Sequence, residues 1–231
     1  MDKIAALKKT ALFGSLAPGE LIALAACTVE RRLRKDETLF LAGEAIQGLY
    51  VIVLGSVRAY RENPDGREQV IHVERSGATI GELPLFDDQP TPSSVAAEEP
   101  TEVLFLPRED VKRCMLAHPS IALSALKVLA GRLRKTSALV ESLSLKEVDQ
   151  RLAAYLLHEA LARGVKRKEG MAVQVPTNPQ IAARVGSVRE VVSRAMAKLQ
   201  QEGLVTPLDR GRWLLPNLNA LKRRAEGTEK S

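Results

Sequence analysis

The stretch IAARVGSVREVVSRAMAKLQQEGLV, residues 181–205, decides the fold of the C-terminal part of the chain. The helical pattern that begins at Thr177 ends at Gly186, and a second helical pattern follows directly. Two helices joined by a tight turn that contains glycine are typical of a helix-turn-helix unit. The stretch therefore predicts such a unit in the second half of the chain.

The second helix of this unit has two different faces. At about 100° per residue, one arc is apolar and consists of Val191, Val192, Ala195, Met196 and Leu199. The opposite arc carries Arg189, Glu190, Ser193, Arg194, Ala197 and Lys198. Arginine matches guanine O6 and N7 in the major groove, a carboxylate accepts from the amino group of cytosine, and Ser and Lys suit phosphates. The pattern predicts that one face packs and the other reads DNA bases.

Two simpler interpretations of the polar face stay open at this point. Ser187 and Glu190 have the spacing of a capping box, so Glu190 could bond to its own backbone instead of a base. Arg189 and Arg194 could be ordinary solvated charges.

Flanking segments extend the predicted DNA surface. Thr177 and Gln180 have capping-box spacing, and the residues around Asp209-Arg210-Gly211 predict a hairpin that forms a wing. We predict a winged helix-turn-helix domain over residues 145–231. Its expected DNA-binding residues are Thr177, Gln180, Val188, Arg189, Glu190, Ser193, Arg194, Lys198, Arg210 and Arg212.

The charge is divided unevenly along the chain. Residues 1–144 contain 18 Lys and Arg against 19 Asp and Glu, whereas residues 145–231 contain 16 against 9. The two parts carry −1 and +7, which agrees with the net charge of +6 for the whole chain. A basic second part is expected of a module that binds a polyanion.

The N-terminal part, residues 1–118, contains short apolar runs separated by Gly, Pro and Asp. The clearest are 49–60, 69–73 and 102–106, and Pro64-Asp65-Gly66 is a strong turn signal. Many short strands at this spacing predict a β-sandwich or barrel, here a β-roll preceded by helical segments. The expected fold class of the whole chain is α+β.

A long helix is predicted over residues 119–144. Its apolar stripe has the alternating spacings of three and four residues that a coiled coil requires, and it consists of Ala122, Leu126, Leu129, Leu133, Thr136, Val140 and Leu143. We predict a parallel homodimer with an interface formed by Leu126, Leu129, Leu133, Val140 and Leu143. The alternative is that this stripe packs on the protein's own β-domain.

Several classes of protein are disfavoured. Apolar runs are too short to span a bilayer and no signal peptide is evident, which predicts a cytoplasmic protein without membrane contact. His158-Glu159 begins like a zinc-protease motif, but Ala162 replaces its second histidine, so we predict no metal site. Two distant cysteines, Cys27 and Cys114, exclude an iron-sulfur cluster. No nucleophile, phosphate-loop or paired-carboxylate motif indicates an enzyme.

The order of these motifs resembles the CRP/FNR family of bacterial transcription regulators, which includes the cyclic-AMP receptor protein. The resemblance covers essentially the full length and includes GLYVIVLGSVRAY, IGELPLF, GRLRKTS and the stretch quoted above. It implies a cyclic-nucleotide-binding-like β-roll, a dimerisation helix and a winged helix-turn-helix. It also implies a TGTGA-like or TTGAT-like inverted-repeat operator that is contacted by Arg189, Glu190, Ser193 and Arg194.

The resemblance also implies an effector pocket, with one departure. Family members that bind cyclic AMP use a Gly-Glu pair for the ribose, an Arg-Ser pair for the phosphate and a Thr-Ser pair for the adenine. The chain has Pro92 where that arginine is expected, and proline offers a phosphate neither a charge nor an N–H group. The implied pocket residues are Gly81, Glu82, Leu83, Ser93, Ser94, Arg132, Thr136 and Ser137, with Arg132 pairing with Glu82.

The sequence therefore predicts a homodimeric DNA-binding regulator whose β-roll senses an effector other than cyclic AMP, or binds cyclic AMP weakly. A haem bound through His72, His118 or a cysteine is a weaker option. The alternatives are a regulator without a ligand that is controlled by its abundance, and a nucleotide-binding interaction module that does not contact DNA. The expected partners are double-stranded DNA, a second copy of the chain and RNA polymerase.

Overall fold

The computed structural model describes residues 1–228, except for the side chain of Arg210 in the wing. The chain forms two compact units, the first from Met1–Glu62 and Val70–Ser137, the second from Asn63–Gln69 and the chain from Ala138 onward. The division between the units falls inside the long helix. The last turns of this helix belong to the second unit because Arg151 of that unit donates hydrogen bonds to the carbonyls of Leu143 and Lys146.

The first unit consists of two four-stranded sheets and their flanking helices. Its elements are α1 (Lys3–Lys8), α2 (Pro18–Ala26), β1 (Val29–Leu33), β2 (Thr38–Phe40), β3 (Gly48–Leu54), β4 (Ser56–Glu62), β5 (Glu68–Arg75), β6 (Thr79–Ile80), α3 (Glu82–Asp87), β7 (Ser94–Ala97), β8 (Thr101–Pro107), α4 (Arg108–Ala117) and the start of α5 (Pro119–Leu145). The strand orders are β1-β8-β3-β6 and β2-β7-β4-β5. The predicted β-roll is confirmed.

The strands β3 and β8 are buried on both faces. Leu104 and Leu106 of β8 pack with the helices, whereas Val103 belongs to the core between the two sheets. Leu49 and Ile52 of β3 are divided in the same way. Successive side chains of a strand point to opposite faces, so a strand covered on both sides needs an unbroken apolar run. This explains why residues 49–54 do not alternate with polar residues.

Helix α5 is only partly covered by its own unit. Ile121 and Ala125 are buried near its beginning. Leu126, Leu133 and Val140 of the predicted seam are exposed, with 69% of Leu133 accessible, and Leu129 is half-buried. The exposed part of the stripe is therefore not used by the β-roll.

In its described residues, the second unit contains four helices after α5, which pack around one core, and a small sheet. Its elements after α5 are α6 (Val148–Arg163), β9 (Val165–Arg167), β10 (Gly170–Gln174), α7 (Asn178–Val185), α8 (Arg189–Gln201), β11 (Thr206–Pro207), a 3-10 turn (Asp209–Gly211), β12 (Arg212–Leu215) and α9 (Leu218–Glu226). The sheet order is β11-β12-β10-β9. Leu152, Leu156, Ile181 and Leu199 are fully buried in its core, which makes α8 a rigid part of the unit.

Among residues 1–228 no single helix is both long and apolar enough to cross a membrane. Helices α4 and α5 together reach such a length and composition, but they are bent by 115° where they meet.

Candidate functional site

The turn between α7 and α8 places α8 at the surface. Gly186 ends α7 in the left-handed region at φ 67°, a conformation that glycine adopts at little cost. Helix α8 then buries Val192, Ala195, Met196 and Leu199, as the helical periodicity predicted. Its opposite face is thereby fixed toward solvent.

The solvent face of α8 presents three charged groups that have no partner among the described residues. Arg189, Glu190, Ser193 and Arg194 are all exposed. Among the described residues, the side chains of Arg189, Glu190 and Arg194 form no hydrogen bond or ion pair. Two guanidinium groups one and a half turns apart are therefore available to an external acceptor, and each has five donors in a planar fork.

The capping interpretation of Glu190 does not match the helix start. The residue before α8 is Val188, which makes no side-chain cap, and α8 begins at Arg189. The box from Ser187 would need the helix to begin one residue earlier. The Glu190 carboxylate is consequently not occupied at its own N-terminus.

Other predicted DNA residues have intramolecular partners. Gln180 accepts at Oε1 from the Thr177 backbone N–H and hydroxyl, each at 3.1 Å, so this pair caps α7. The Ser193 hydroxyl accepts from Asn178 Nδ2 at 3.3 Å. Asn178 was missed, although its position at the start of α7 could have suggested it.

The remaining members of the predicted DNA surface lie at its edges. Lys198 Nζ is 3.0 Å from Asp149 Oδ2 of α6, so this ammonium group is committed to a link between two helices. Arg212 pairs with Asp209 in the wing, and Val188 is exposed. The side chain of Arg210 lies outside the described residues.

The effector residues Glu82 and Arg132 form a buried ion pair. The Glu82 side chain is 0% exposed, Arg132 is 16% exposed, and Arg132 Nη1 contacts Glu82 Oε2. The other carboxylate oxygen accepts from the Thr79 hydroxyl, and Arg132 also donates to the Thr79 carbonyl. Both Glu82 oxygens are therefore occupied from within the protein. The pairing of Arg132 with Glu82 matches the expectation from the resemblance, whereas Thr79 was not anticipated.

Glu74 extends this ion pair, and His72 lies beside it. Glu74 Oε1 lies 3.4 Å from Arg132 Nε and 3.4 Å from His72 Nδ1. Burial, and then the charges of Arg132 and Lys135, lower the pKa of His72 to about 4. A neutral imidazole follows at pH 7.

A cavity of about 310 Å³ lies beside this cluster. Its lining includes Glu74 and Thr79 from the strands, and Lys127, Gly131 and Lys135 from α5. Its size is at the lower end of that of small-molecule sites.

The remaining predicted effector residues do not join the ion pair by hydrogen bonds in the described part of the chain. Ser94 is buried and accepts from the Ala42 N–H at 3.0 Å, and the Ser93 carbonyl accepts from Thr91. Gly81 precedes α3 at φ 95°, and Leu83 is exposed. On α5, Thr136 and Ser137 are exposed, and Ser137 Oγ donates to the Leu133 carbonyl.

Pro92 is exposed, and its carbonyl accepts from Arg61 Nη1 at 2.5 Å. No guanidinium group therefore projects from the chain at position 92. The neighbouring Arg61 was not singled out by the sequence because it lies on another strand, β4.

Among the described residues, no group of three or more His, Cys, Asp or Glu side chains is arranged to hold a metal ion.

Comparison with protein families matches one family model to each of the two parts of the chain. The model of the cyclic nucleotide-binding domain matches residues 30–118, and that of the Crp-like helix-turn-helix domain matches residues 150–224. Together they cover more than half of the chain.

Individual relatives match over most of their length. The chain is 31% identical to the CRP-like cAMP-activated global transcriptional regulator of Mycobacterium tuberculosis, over 97% of this chain and 100% of that one. It is 34% identical to the cyclic AMP receptor protein of Thermus thermophilus, over 86% and 89%. A solved CRP-family transcriptional regulator from Thermus thermophilus superimposes with a TM-score of 0.71 at 30% identity, over 85% and 96%.

Proposed function

Because the chain belongs to the CRP/FNR family of DNA-binding transcription regulators, we propose that it binds an inverted-repeat operator as a homodimer. One α8 helix of each copy enters each of two successive major grooves, with the half-sites one helical turn apart. The observation that carries this proposal is the pair of guanidinium groups on the exposed face of α8, Arg189 and Arg194, which have no partner in the described part of the chain. The +7 charge of residues 145–231 supports it.

The dimer is formed through α5 in this proposal. Leu126, Leu133 and Val140 are exposed on one stripe, and burial of such a stripe against a second copy is favourable by about 25 cal/mol per Å² of apolar surface. Leu143 has a second contact besides the proposed dimer seam, because its Cδ2 lies only 2.3 Å from the position that a Cβ on Gly186 would occupy. It therefore packs against the helix-turn-helix turn.

The effector of this proposal is not cyclic AMP, or is cyclic AMP bound weakly. Two relatives are named for cyclic AMP, but here Pro92 replaces the expected arginine and Glu82 is sealed by Arg132 and Thr79. A lost charge-assisted hydrogen bond costs about 1.5–3 kcal/mol. The sealed ion pair also favours the second candidate, a regulator that needs no ligand and is controlled by its abundance.

Selection of bound fragments from random duplex DNA, followed by titration of variants, tests the DNA proposal. We expect Arg189→Ala and Arg194→Ala each to weaken operator binding by about 1–3 kcal/mol and to relax the preference at one base position. Lys222→Ala serves as the control, because Lys222 lies on α9 and pairs with Glu226 at the surface, where the two side chains are 62% and 50% exposed. Unchanged operator preference in both α8 variants would contradict the proposal.

Glu190→Ala separates base reading from capping. If Glu190 reads a base, the variant keeps its melting temperature and changes its base preference. A lower melting temperature with an unchanged preference would instead indicate capping.

Melting in the presence of cyclic nucleotides, together with DNA binding by the untreated protein, separates the effector alternatives. Operator binding without any ligand and without a melting shift supports control by abundance. A nucleotide-induced shift without salt-dependent DNA binding supports an interaction module that does not contact DNA.

A further inference from the structure

Arg151 of α6 binds the carboxyl ends of two helices at once. Its Nε donates to the Val185 carbonyl at 2.7 Å and its Nη2 to the Gly186 carbonyl at 3.2 Å. Its Nη1 donates to the Lys146 carbonyl at 2.8 Å and reaches the Leu143 carbonyl at 3.4 Å. One side chain therefore joins the end of α5 to the end of α7 within the second unit.

The chemistry of this contact is specific to arginine. The last four carbonyls of a helix have no partner inside the helix, and they form the negative end of its dipole. A planar guanidinium with five N–H donors can serve several such acceptors, whereas a lysine ammonium is a point charge with three donors. Replacement of Arg151 by lysine keeps the charge and loses the fork.

The acceptors on the α7 side belong to the turn that starts the reading helix. Gly186 is followed by Ser187 and Val188, and α8 begins at Arg189. On the other side, only Lys146 and Glu147 separate α5 from α6. The covalent connection alone allows rotation about the backbone bonds of these short linkers. The four hydrogen bonds of Arg151 restrict this rotation and so fix the end of α5 relative to the end of α7.

We propose that Arg151 is a positioning residue that fixes the orientation of α8 relative to the end of α5, and thereby sets the half-site spacing that the dimer accepts. This inference rests on the proposed function, because the spacing matters only for two reading helices held by paired α5 helices. Inserting one base pair between half-sites moves one of them by about 3.4 Å and rotates it by about 35°. A clamped pair of reading helices resists that change, and an unclamped pair follows it.

The test compares full-length wild type, Arg151→Lys and Arg151→Gln on a series of operators. The operator obtained by selection is rebuilt with one base pair fewer, one more and two more between half-sites, and affinities are measured by fluorescence anisotropy at one salt concentration. A second series carries a single base change inside one half-site. Arg163→Lys, in the same helix and paired with its helix neighbour Glu159, is the matched control, because it keeps a cation beside Glu159.

We expect wild type and Arg163→Lys to lose about tenfold or more in affinity for each altered spacing, which corresponds to about 1.4 kcal/mol. Both Arg151 variants should lose less than about threefold on the same operators, while the base change weakens all proteins by the same factor. A merely structural role would lower the melting temperature and weaken all operators together, without relaxing the spacing preference.

Each other outcome has one meaning. A wild-type spacing penalty in both Arg151 variants overturns the inference, as does a parallel loss of spacing and base preference. If wild type binds no operator, the proposed dimeric function fails. If wild type binds but is indifferent to spacing, the inference about Arg151 is overturned.

Discussion

Replacing Arg132 by methionine should destabilise the first unit strongly. The change removes the cation that faces the Glu82 carboxylate, whose side chain is 0% exposed, and leaves that charge buried. Removing one partner of a buried ion pair costs about 3–5 kcal/mol, because the remaining charge is neither hydrated nor compensated. The Thr79 hydroxyl still donates to one oxygen, and Arg132 is 16% exposed, so we expect a value near the lower end, about 3 kcal/mol.

Urea unfolding followed by far-UV circular dichroism measures this loss. The single tryptophan, Trp213, lies in the second unit, so its fluorescence reports separately on a region that the substitution does not touch. Arg113→Met is the matched control, since Arg113 pairs with Asp110 at the surface and is 75% exposed. We expect that control to cost no more than about 0.5 kcal/mol.

A double variant distinguishes the ion pair from simple loss of packing. Glu82→Met together with Arg132→Met removes both charges, and we expect it to recover about 2 kcal/mol relative to Arg132→Met alone. The reasoning is refuted if Arg132→Met costs less than about 1 kcal/mol, or if the two substitutions are additive.

Two further predictions concern protonation and backbone geometry. Burial lowers the pKa of His72 in the folded protein to about 4, below the ordinary value of about 6.5, so the unfolded chain takes up a proton first as the pH falls. The contribution of His72 to the free energy of unfolding is therefore present above pH 6.5 and is lost between pH 6.5 and about 4. This contribution is at most about 3 kcal/mol. Urea titrations at pH 7, 5.5 and 4.5 should show that the free energy of unfolding depends less on pH in His72→Gln than in wild type. His158→Gln is the control, because His158 is 72% exposed, and it should behave like wild type. Equal pH dependence in all three proteins would show that His72 is not responsible. A Cβ on Gly170 would lie 2.4 Å from the Leu215 carbonyl oxygen, whereas one on Gly203, at φ 70°, meets nothing within 4 Å. Trp213-monitored unfolding should therefore show about 1 kcal/mol lost in Gly203→Ala and at least about 2 kcal/mol more in Gly170→Ala, and similar losses in both would show that the close approach to Leu215 is unimportant.

Patterns within short segments of the sequence were sufficient to predict the helices and strands. Helix α8 was predictable because its apolar periodicity is contained in eight residues, Val192, Ala195, Met196 and Leu199. The end of α7 was predictable because the residue that follows the helix, Gly186, has a positive φ, which glycine adopts at little cost. The unbroken apolar run in β3 indicated a strand, although it did not reveal which face meets the helices and which meets the second sheet. Periodicity within one segment carries no information about the surface opposite to it.

The partners of individual polar groups could not be predicted from the sequence. Lys198 has the right residue type and face for a phosphate contact, but Asp149, 49 residues earlier, holds its ammonium group. The capping spacing of Ser187 and Glu190 was also misleading, because the turn after Gly186 starts α8 at Arg189. In both cases the structure shows a contact or a helix start that the residue types alone did not specify.

The sequence by itself determined the order of helices and strands, the basic character of the second half and the polar face of α8, since each depends on residues that are close along the chain. Only the tertiary structure decided that Thr79 and Arg132 seal Glu82, that Leu143 packs against Gly186, and that Arg151 joins the ends of α5 and α7. These contacts form between segments brought together by burial of the core. A hydrogen bond depends on positions to within a few tenths of an ångström, which no pattern of residue types along the chain can specify.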